Sequence, residues 1–302
     1  MARSIHKFDR WTSREQSTWP FQVFKKYTNE YDRMFWSHVV SKKFVYAQLK
    51  HKEALFEDDV SKHFDISTAD RPELYSDLKD WSNAFNQLSN WTNLNGLMAV
   101  SANLETYMAS VVRLALESDP GILFDASKKI DGIMLLKHGE QRKLSFNSEI
   151  MSCTKGDWSS RIRAYKNIFG GAPKILTDKC TELDAIRKIR NNIGHAFGRD
   201  LDKSRDHGVK TTSPMEVVTP ERAVKYKKLI WDVAKAIDKH LLIHHVGEFQ
   251  VLGLYHQKLP LLKDIYDVNA RAKRFRKEIG EFGATLRGVD ESKELIAYYN
   301  SL

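Results

Sequence analysis

The stretch LNGLMAVSANLETYMASVVRLALESDPG, residues 94–121, decides the fold class of this chain. Its apolar side chains recur every three or four residues, at Leu97, Leu104, Tyr107, Met108, Val111 and Leu114. Because an α-helix completes a turn in 3.6 residues, this spacing places them on one helix face. Asp119-Pro120-Gly121 ends the pattern, since proline lacks the backbone N–H that a helix needs. The stretch therefore predicts one long and largely buried helix.

The same period appears on both sides of this stretch. Before it, Pro72 precedes a segment with apolar positions at Leu74, Leu78, Trp81, Phe85 and Leu88. After it, Thr219-Pro220-Glu221 supplies the N-cap, first-turn proline and acidic residue that begin a helix. We find no convincing alternation of apolar and polar residues, the pattern of a half-buried β-strand. The sequence thus predicts an all-α protein.

Three consecutive segments are expected along the chain. Residues 1–70 form an N-terminal helical extension rich in aromatic residues, and residues 71–248 form the helical core. Within that core, residues 121–156 lose the helical period and collect glycines, so we expect an insertion of loops and short helices. Residues 249–302 form a C-terminal helical extension with a basic run at Arg271, Lys273, Arg274, Arg276 and Lys277. That run is expected either to contact an RNA backbone or to be a solvated helix face.

Charge and cysteine content restrict the partners and the location. The 48 Lys and Arg against 39 Asp and Glu give a formal charge of +9. This favours a polyanion, with nucleic acid ahead of an anionic membrane surface. Cys153 and Cys180 stand in no metal-binding or redox spacing, which suits a reducing cytoplasm. The chain shows no signal peptide and no run near the ~20 apolar residues of a membrane span, so we expect no membrane anchoring.

Residues 178–197 are expected to form the helix that carries the chemistry, with Thr177 or Asp178 as its cap. One side of it is apolar and the other polar; the apolar stripe comprises Leu183, Ile186, Ile189, Ile193 and Phe197, and the polar side Arg187, Asn191 and His195. Asn191 and His195, four residues apart, are neighbours on this helix. Arg190 lies about 140° from His195. The two would meet only by a long reach, by helix distortion at Gly194 or across a dimer.

These residue types suit the cleavage of RNA by its own 2′-hydroxyl. That reaction needs proton transfer and a cation beside the phosphorane oxygens, which His195 and Arg190 supply without a metal or a cofactor. Asn191 would orient the imidazole or the phosphate, and Arg187 and Arg199 would steer the RNA backbone. The sequence therefore predicts catalytic Arg190, Asn191 and His195 with RNA as partner.

The run Arg190-Asn191-Asn192-Ile193-Gly194-His195 resembles the R-x4-6-H motif of HEPN-superfamily ribonucleases, in which a polar residue commonly follows the arginine. Its context is similar too: Leu104-Glu105-x-Tyr107 lies on an earlier helix, and a polar loop and the Pro220 helix follow the motif. The resemblance covers roughly residues 72–245.

This resemblance implies an up-and-down core of four or five helices and a homodimer that joins two motifs in one cleft. It implies endoribonuclease activity that leaves a cyclic phosphate, in a toxin system or in defence against phage. An antitoxin or regulatory protein is then a further expected partner.

Several alternatives remain open at this level. The motif residues could be a solvated helix face on a non-catalytic module that binds RNA, nucleotide or protein, or on a scaffold whose charge only aids solubility. His240 and His244 have the i, i+4 spacing of zinc ligands, but we favour histidines that complement the dipole at a helix end. Glu105 is expected either to support the site through a cation such as Arg190 or to be exposed.

Overall fold

The computed structural model describes residues 8–67, 70–208, 210–281 and 287–302. All regular secondary structure in these ranges is helical, so the chain is all-α as predicted. The α-helices are α1 (Trp19–His51), α2 (Leu78–Ser118), α3 (Gly132–Lys137), α4 (Asn147–Thr154), α5 (Trp158–Phe169), α6 (Lys174–Asp178), α7 (Cys180–Ala196), α8 (Leu201–Arg205), α9 (Pro220–Leu241), α10 (Phe249–Leu262), α11 (Val268–Glu281) and α12 (Val289–Ser301). Residues 1–7 and 282–286 of the two predicted extensions lie outside the described residues. No described helix combines the length and hydropathy that crossing a bilayer requires.

The long helix α2 ends at Ser118, directly before Asp119-Pro120, as its sequence predicts. Its beginning differs from the expectation, because Pro72–Leu74 form a separate 3₁₀ turn and α2 starts only at Leu78. The Asp77 carboxylate accepts a hydrogen bond from the Asp80 N–H at 2.8 Å and so caps the first turn. Leu74 consequently lies outside the helix and is exposed.

The helix expected to start at Thr177 or Asp178 is divided in two. Residues Lys174–Asp178 form the short helix α6, and α7 begins at Cys180. The prediction of loops and short helices over residues 121–156 is confirmed, because this segment contains α3, α4 and two 3₁₀ turns.

Contacts divide the chain into two units made of interleaved segments. Unit 1 comprises the chain up to Phe24, Leu104–Thr181 and Trp231 onward, and unit 2 comprises Lys25–Asn103 and Glu182–Ile230. These boundaries lie inside α1, α2, α7 and α9, so they do not coincide with the three consecutive segments that the sequence suggests.

Unit 1 has an aromatic centre. Phe21 and Phe24 of α1 lie 5.8 and 5.3 Å from the ring of Tyr107, and both also contact the ring of Trp231. Ring centroids at these separations are in the range of favourable aromatic packing. The Tyr107 hydroxyl extends from this cluster to the backbone oxygen of Ala234.

In unit 2, helix α2 forms hydrogen bonds with the polar loop that follows α8. The Asn90 side chain on α2 donates to the Glu216 carbonyl and accepts from the Val218 N–H, each at 2.8 Å. Asn93 donates to the Val218 carbonyl at 2.8 Å. These three bonds satisfy backbone groups of a segment without secondary structure, and so they fix residues 216–218 against α2.

Candidate active site

Helix α7 presents the motif residues on a well-anchored support. Leu183, Ile186, Ile189 and Ile193 are all buried, as the predicted apolar stripe requires. On the remaining surface Arg187, Arg190 and Asn191 are half-buried, and His195 is exposed. The apolar side therefore holds the helix in place and leaves the polar side accessible to a ligand.

The predicted stripe is wrong at its last position, Phe197. This residue follows the helix end with a φ of +55°, and its side chain is 56% exposed. Gly198, also at positive φ, donates to the Asn192 carbonyl at 3.0 Å and closes the helix. Because the left-handed backbone turns the chain away, Phe197 no longer continues the helical period.

Two neighbours accompany the exposed Phe197 ring. Trp91 of α2 lies 6.1 Å away between ring centroids, and the Arg199 guanidinium lies 5.2 Å from the Phe197 centroid. Aromatic faces beside a cation are the groups that hold unpaired nucleic-acid bases. Sequence reasoning missed this surface, because it assigned Phe197 to the core.

Arg190 and Asn191 form a contact within the motif. Arg190 Nη1 donates to Asn191 Oδ1 at 3.1 Å. No hydrogen bond or ion pair joins His195 to another described residue. Asn191 thus holds the guanidinium, whereas the sequence suggested that it orients the imidazole or the phosphate. The His195 imidazole is open to solvent and to a substrate.

Helix α7 runs without interruption from Cys180 through Gly194 to Ala196. The distortion at Gly194 that would bring Arg190 to His195 is therefore absent. Five residues along a regular α-helix rotate a side chain by about 140°, so one α7 presents Arg190 and His195 in different directions. Arg190 and His195 can then meet only through a long side-chain reach or by contributions from two copies of the chain.

The two predicted RNA-steering arginines each donate a hydrogen bond through Nε. Arg187 Nε is 2.8 Å from Asp184 Oδ1, and both side chains are about a quarter exposed. Arg199 Nε donates to the Ser213 carbonyl at 2.9 Å. Arg199 also lines a polar cavity of about 320 Å³ together with Ser204, Lys210, Thr211, Thr212 and Ser213. Two cations and several hydroxyls in one concavity suit a phosphate group, and the sequence did not indicate Lys210.

Glu105 lies in unit 1 and forms ion pairs with two basic side chains. Its carboxylate lies 3.0 Å from Arg161 Nη2 and 3.6 Å from Lys155 Nζ, and the side chain is 13% exposed. The alternative of an exposed carboxylate is therefore wrong. Sequence spacing did not indicate Arg161, which is 56 residues away along the chain. Support of Arg190 by Glu105 stays a prediction.

His240, near the end of α9, does not fit the helix-dipole interpretation, which stays a prediction for His244. The helical path continues as a π turn over Leu242–Val246, and His240 Nδ1 contacts the Tyr165 hydroxyl at 2.8 Å. Burial, with His244 and His245 nearby, lowers the pKa of His240 to about 4. At neutral pH His240 is uncharged and cannot complement a dipole. Among the described residues, no group of three or more metal-binding side chains is found.

Comparison of the chain with protein-family models, with characterised proteins and with solved structures yields no match in any of the three. Helix α7 and its surroundings in unit 2 are therefore the features that point to a function.

Proposed function

We propose that this chain is a metal-independent endoribonuclease of the HEPN type, with His195 and Arg190 as its catalytic residues. The observation that carries the proposal is the composition of α7, where an exposed imidazole follows an Arg–Asn pair on an anchored helix. A toxin or phage-defence role, with an antitoxin or regulatory partner, follows from the HEPN resemblance and belongs to the same proposal.

The proposed reaction is an internal transesterification. The RNA 2′-hydroxyl oxygen attacks the adjacent phosphorus, the bond from phosphorus to the 5′-oxygen breaks, and a 2′,3′-cyclic phosphate remains. The His195 imidazole accepts the 2′ proton, and the imidazolium so formed donates a proton to the leaving 5′-oxygen. Arg190 stabilises the extra negative charge on the phosphorane oxygens. Asn191 positions Arg190 through the 3.1 Å hydrogen bond.

The surface beside the motif has features that suit RNA. Arg199 and Lys210 share a polar cavity that would accept a backbone phosphate, and Phe197 and Trp91 offer rings to an unpaired base. Residues 184–210 hold seven Lys and Arg against four Asp. This excess of positive charge attracts a polyanion without reading its sequence.

A homodimer is part of the proposal because of the geometry of α7. Arg190 and His195 diverge on one helix, so a two-fold arrangement would supply Arg190 from one protomer and His195 from the other.

The test is cleavage of RNA in the presence of EDTA. We expect His195→Ala and Arg190→Ala each to lower the rate by at least about 100-fold, the usual contribution of a general acid–base group or a charge-stabilising group. His207→Ala is the control, because His207 is a fully exposed imidazole outside the motif. Unchanged cleavage by the His195 variant would contradict the proposal. Tight RNA binding by the wild type without any product would identify the non-catalytic binding module instead.

A further inference from the structure

Unit 2 contains a second and larger cavity. It is open to solvent, has a volume of about 500 Å³ and lies between α1, α2 and the segment 217–220, and all of its lining residues belong to unit 2. Cavities of this size hold metabolite-sized ligands. None of the motif residues lines it, so its role is independent of the proposed ribonuclease.

The walls of this cavity are mainly apolar and are held in place. Val39 of α1 faces the cavity, as do Val217, Val218 and Pro220. The segment that carries Val217 and Val218 is fixed by its hydrogen bonds to Asn90 and Asn93. A preformed apolar wall binds an apolar ligand body without an ordering cost.

The cavity carries positive charge without a carboxylate to balance it. His38, Lys42 and Lys43 line it, and no Asp or Glu does. Lys42 is half-buried and has no ion-pair partner among the described residues, and burial lowers its pKa. His38 Nε2 is buried and lacks a hydrogen-bond partner in the described part of the chain. A partly desolvated cation and an orphaned ring nitrogen are both stabilised by an anion placed between them.

We propose that this cavity binds a small carboxylate with an apolar body. The carboxylate would contact Lys42 and His38, and the body would pack against the valines and Pro220. Lys43 is exposed, so one partly desolvated lysine, Lys42, beside one imidazole matches a single negative charge. The mainly apolar lining does not suit a polyphosphate, which needs many donors.

Octanoate and octan-1-ol test this proposal, because they share one alkyl body and differ in charge. Titration calorimetry on the full-length protein should show octanoate binding at least about tenfold more tightly than octan-1-ol, since a charge-assisted hydrogen bond is worth that much or more. Lys42→Met keeps the apolar stem and removes the charge. It should remove the preference for octanoate and leave octan-1-ol binding unchanged, which also shows that the cavity still forms.

Two further variants establish where the ligand binds. Lys25→Met, on the same helix but outside the cavity, is the matched control and should bind both compounds as the wild type does. Val39→Trp should fill the cavity and weaken both. Equal affinity of the wild type for the two compounds, no binding of either, or octanoate affinity unaffected by Lys42→Met or Val39→Trp would each overturn the proposal.

Discussion

At the residue scale, Asp238 shows how one buried carboxylate links stability to pH. The side chain is 2% exposed and accepts hydrogen bonds from the Thr18 N–H, the Thr18 hydroxyl and the Tyr107 hydroxyl. Those bonds favour the carboxylate, but desolvation outweighs them and raises the pKa of Asp238 to about 6. The folded chain therefore retains this proton at a pH where the unfolded chain has lost it.

The sign of the pH effect follows from that raised pKa. The stability contributed by Asp238 is fully present below about pH 4 and is lost as the pH rises toward 6. Relative to wild type, Asp238→Asn should therefore become more stable between pH 4 and pH 7, by up to about 3 kcal/mol. Denaturant unfolding of both proteins at each pH measures this difference in the free energy of unfolding. The other titrating groups are present in both proteins, so their effects cancel in the comparison. Asp264→Asn, at an exposed aspartate, is the control. If the stability difference between Asp238→Asn and wild type does not vary with pH, Asp238 does not have this role.

At the element scale, Gly198 closes the C-terminal end of α7 just after the motif residues. Gly198 has a φ of +76°, and a Cβ placed there would lie 3.0 Å from Leu94 Cδ1 and 3.2 Å from Met215 Cγ. Glycine is needed for both reasons, the left-handed backbone and the close approach. The same residue accepts a hydrogen bond from the Glu216 N–H through its carbonyl, so it ties the helix end to the polar loop.

Gly170 offers a matched comparison with Gly198. It has a similar φ of +70° at the end of α5, but no atom lies within 4 Å of the Cβ position. Gly170→Ala should cost about 1 kcal/mol from backbone strain alone. Gly198→Ala should cost about 1 kcal/mol more, because Leu94 and Met215 must shift. Chemical denaturation compares the two, and equal losses would show that the packing around Gly198 yields without cost.

At the scale of the whole molecule, the divergence of Arg190 and His195 makes assembly the central question for the proposed ribonuclease activity. A monomer with a regular α7 presents the two groups separately, whereas a two-fold dimer has copies of both to combine. The formal charge of +9 opposes the approach of two identical chains and favours a polyanion between them.

Mixing two inactive variants tests this arrangement. In a heterodimer of His195→Ala and Arg190→Ala, one of two composite sites combines an intact arginine with an intact histidine. After co-refolding or co-expression, about half of the dimers are mixed, so about a quarter of the wild-type cleavage rate should return. Light scattering should give twice the mass of one chain. A dimer without restored activity would mean that each protomer completes its own site.

The sequence by itself determined the local features of this protein. The 3.6-residue period identified the α-helical fold, Pro120 marked the end of α2, and the stripe from Leu183 to Ile193 oriented α7. These features were predictable because helical periodicity and the backbone restrictions of proline and glycine act over a few neighbouring residues. Arg190, Asn191 and His195 were chosen by residue chemistry and by the resemblance to the HEPN motif, and their catalytic role stays a prediction.

Only the tertiary structure decided which distant groups meet. It paired Glu105 with Arg161, brought Lys210 and Arg199 to one cavity, and fixed residues 216–218 on Asn90 and Asn93. Such contacts join residues far apart in the chain and leave no periodic trace in the sequence. It also exposed Phe197 and left Lys42 half-buried in a cavity, because burial depends on how the elements pack as well as on residue type.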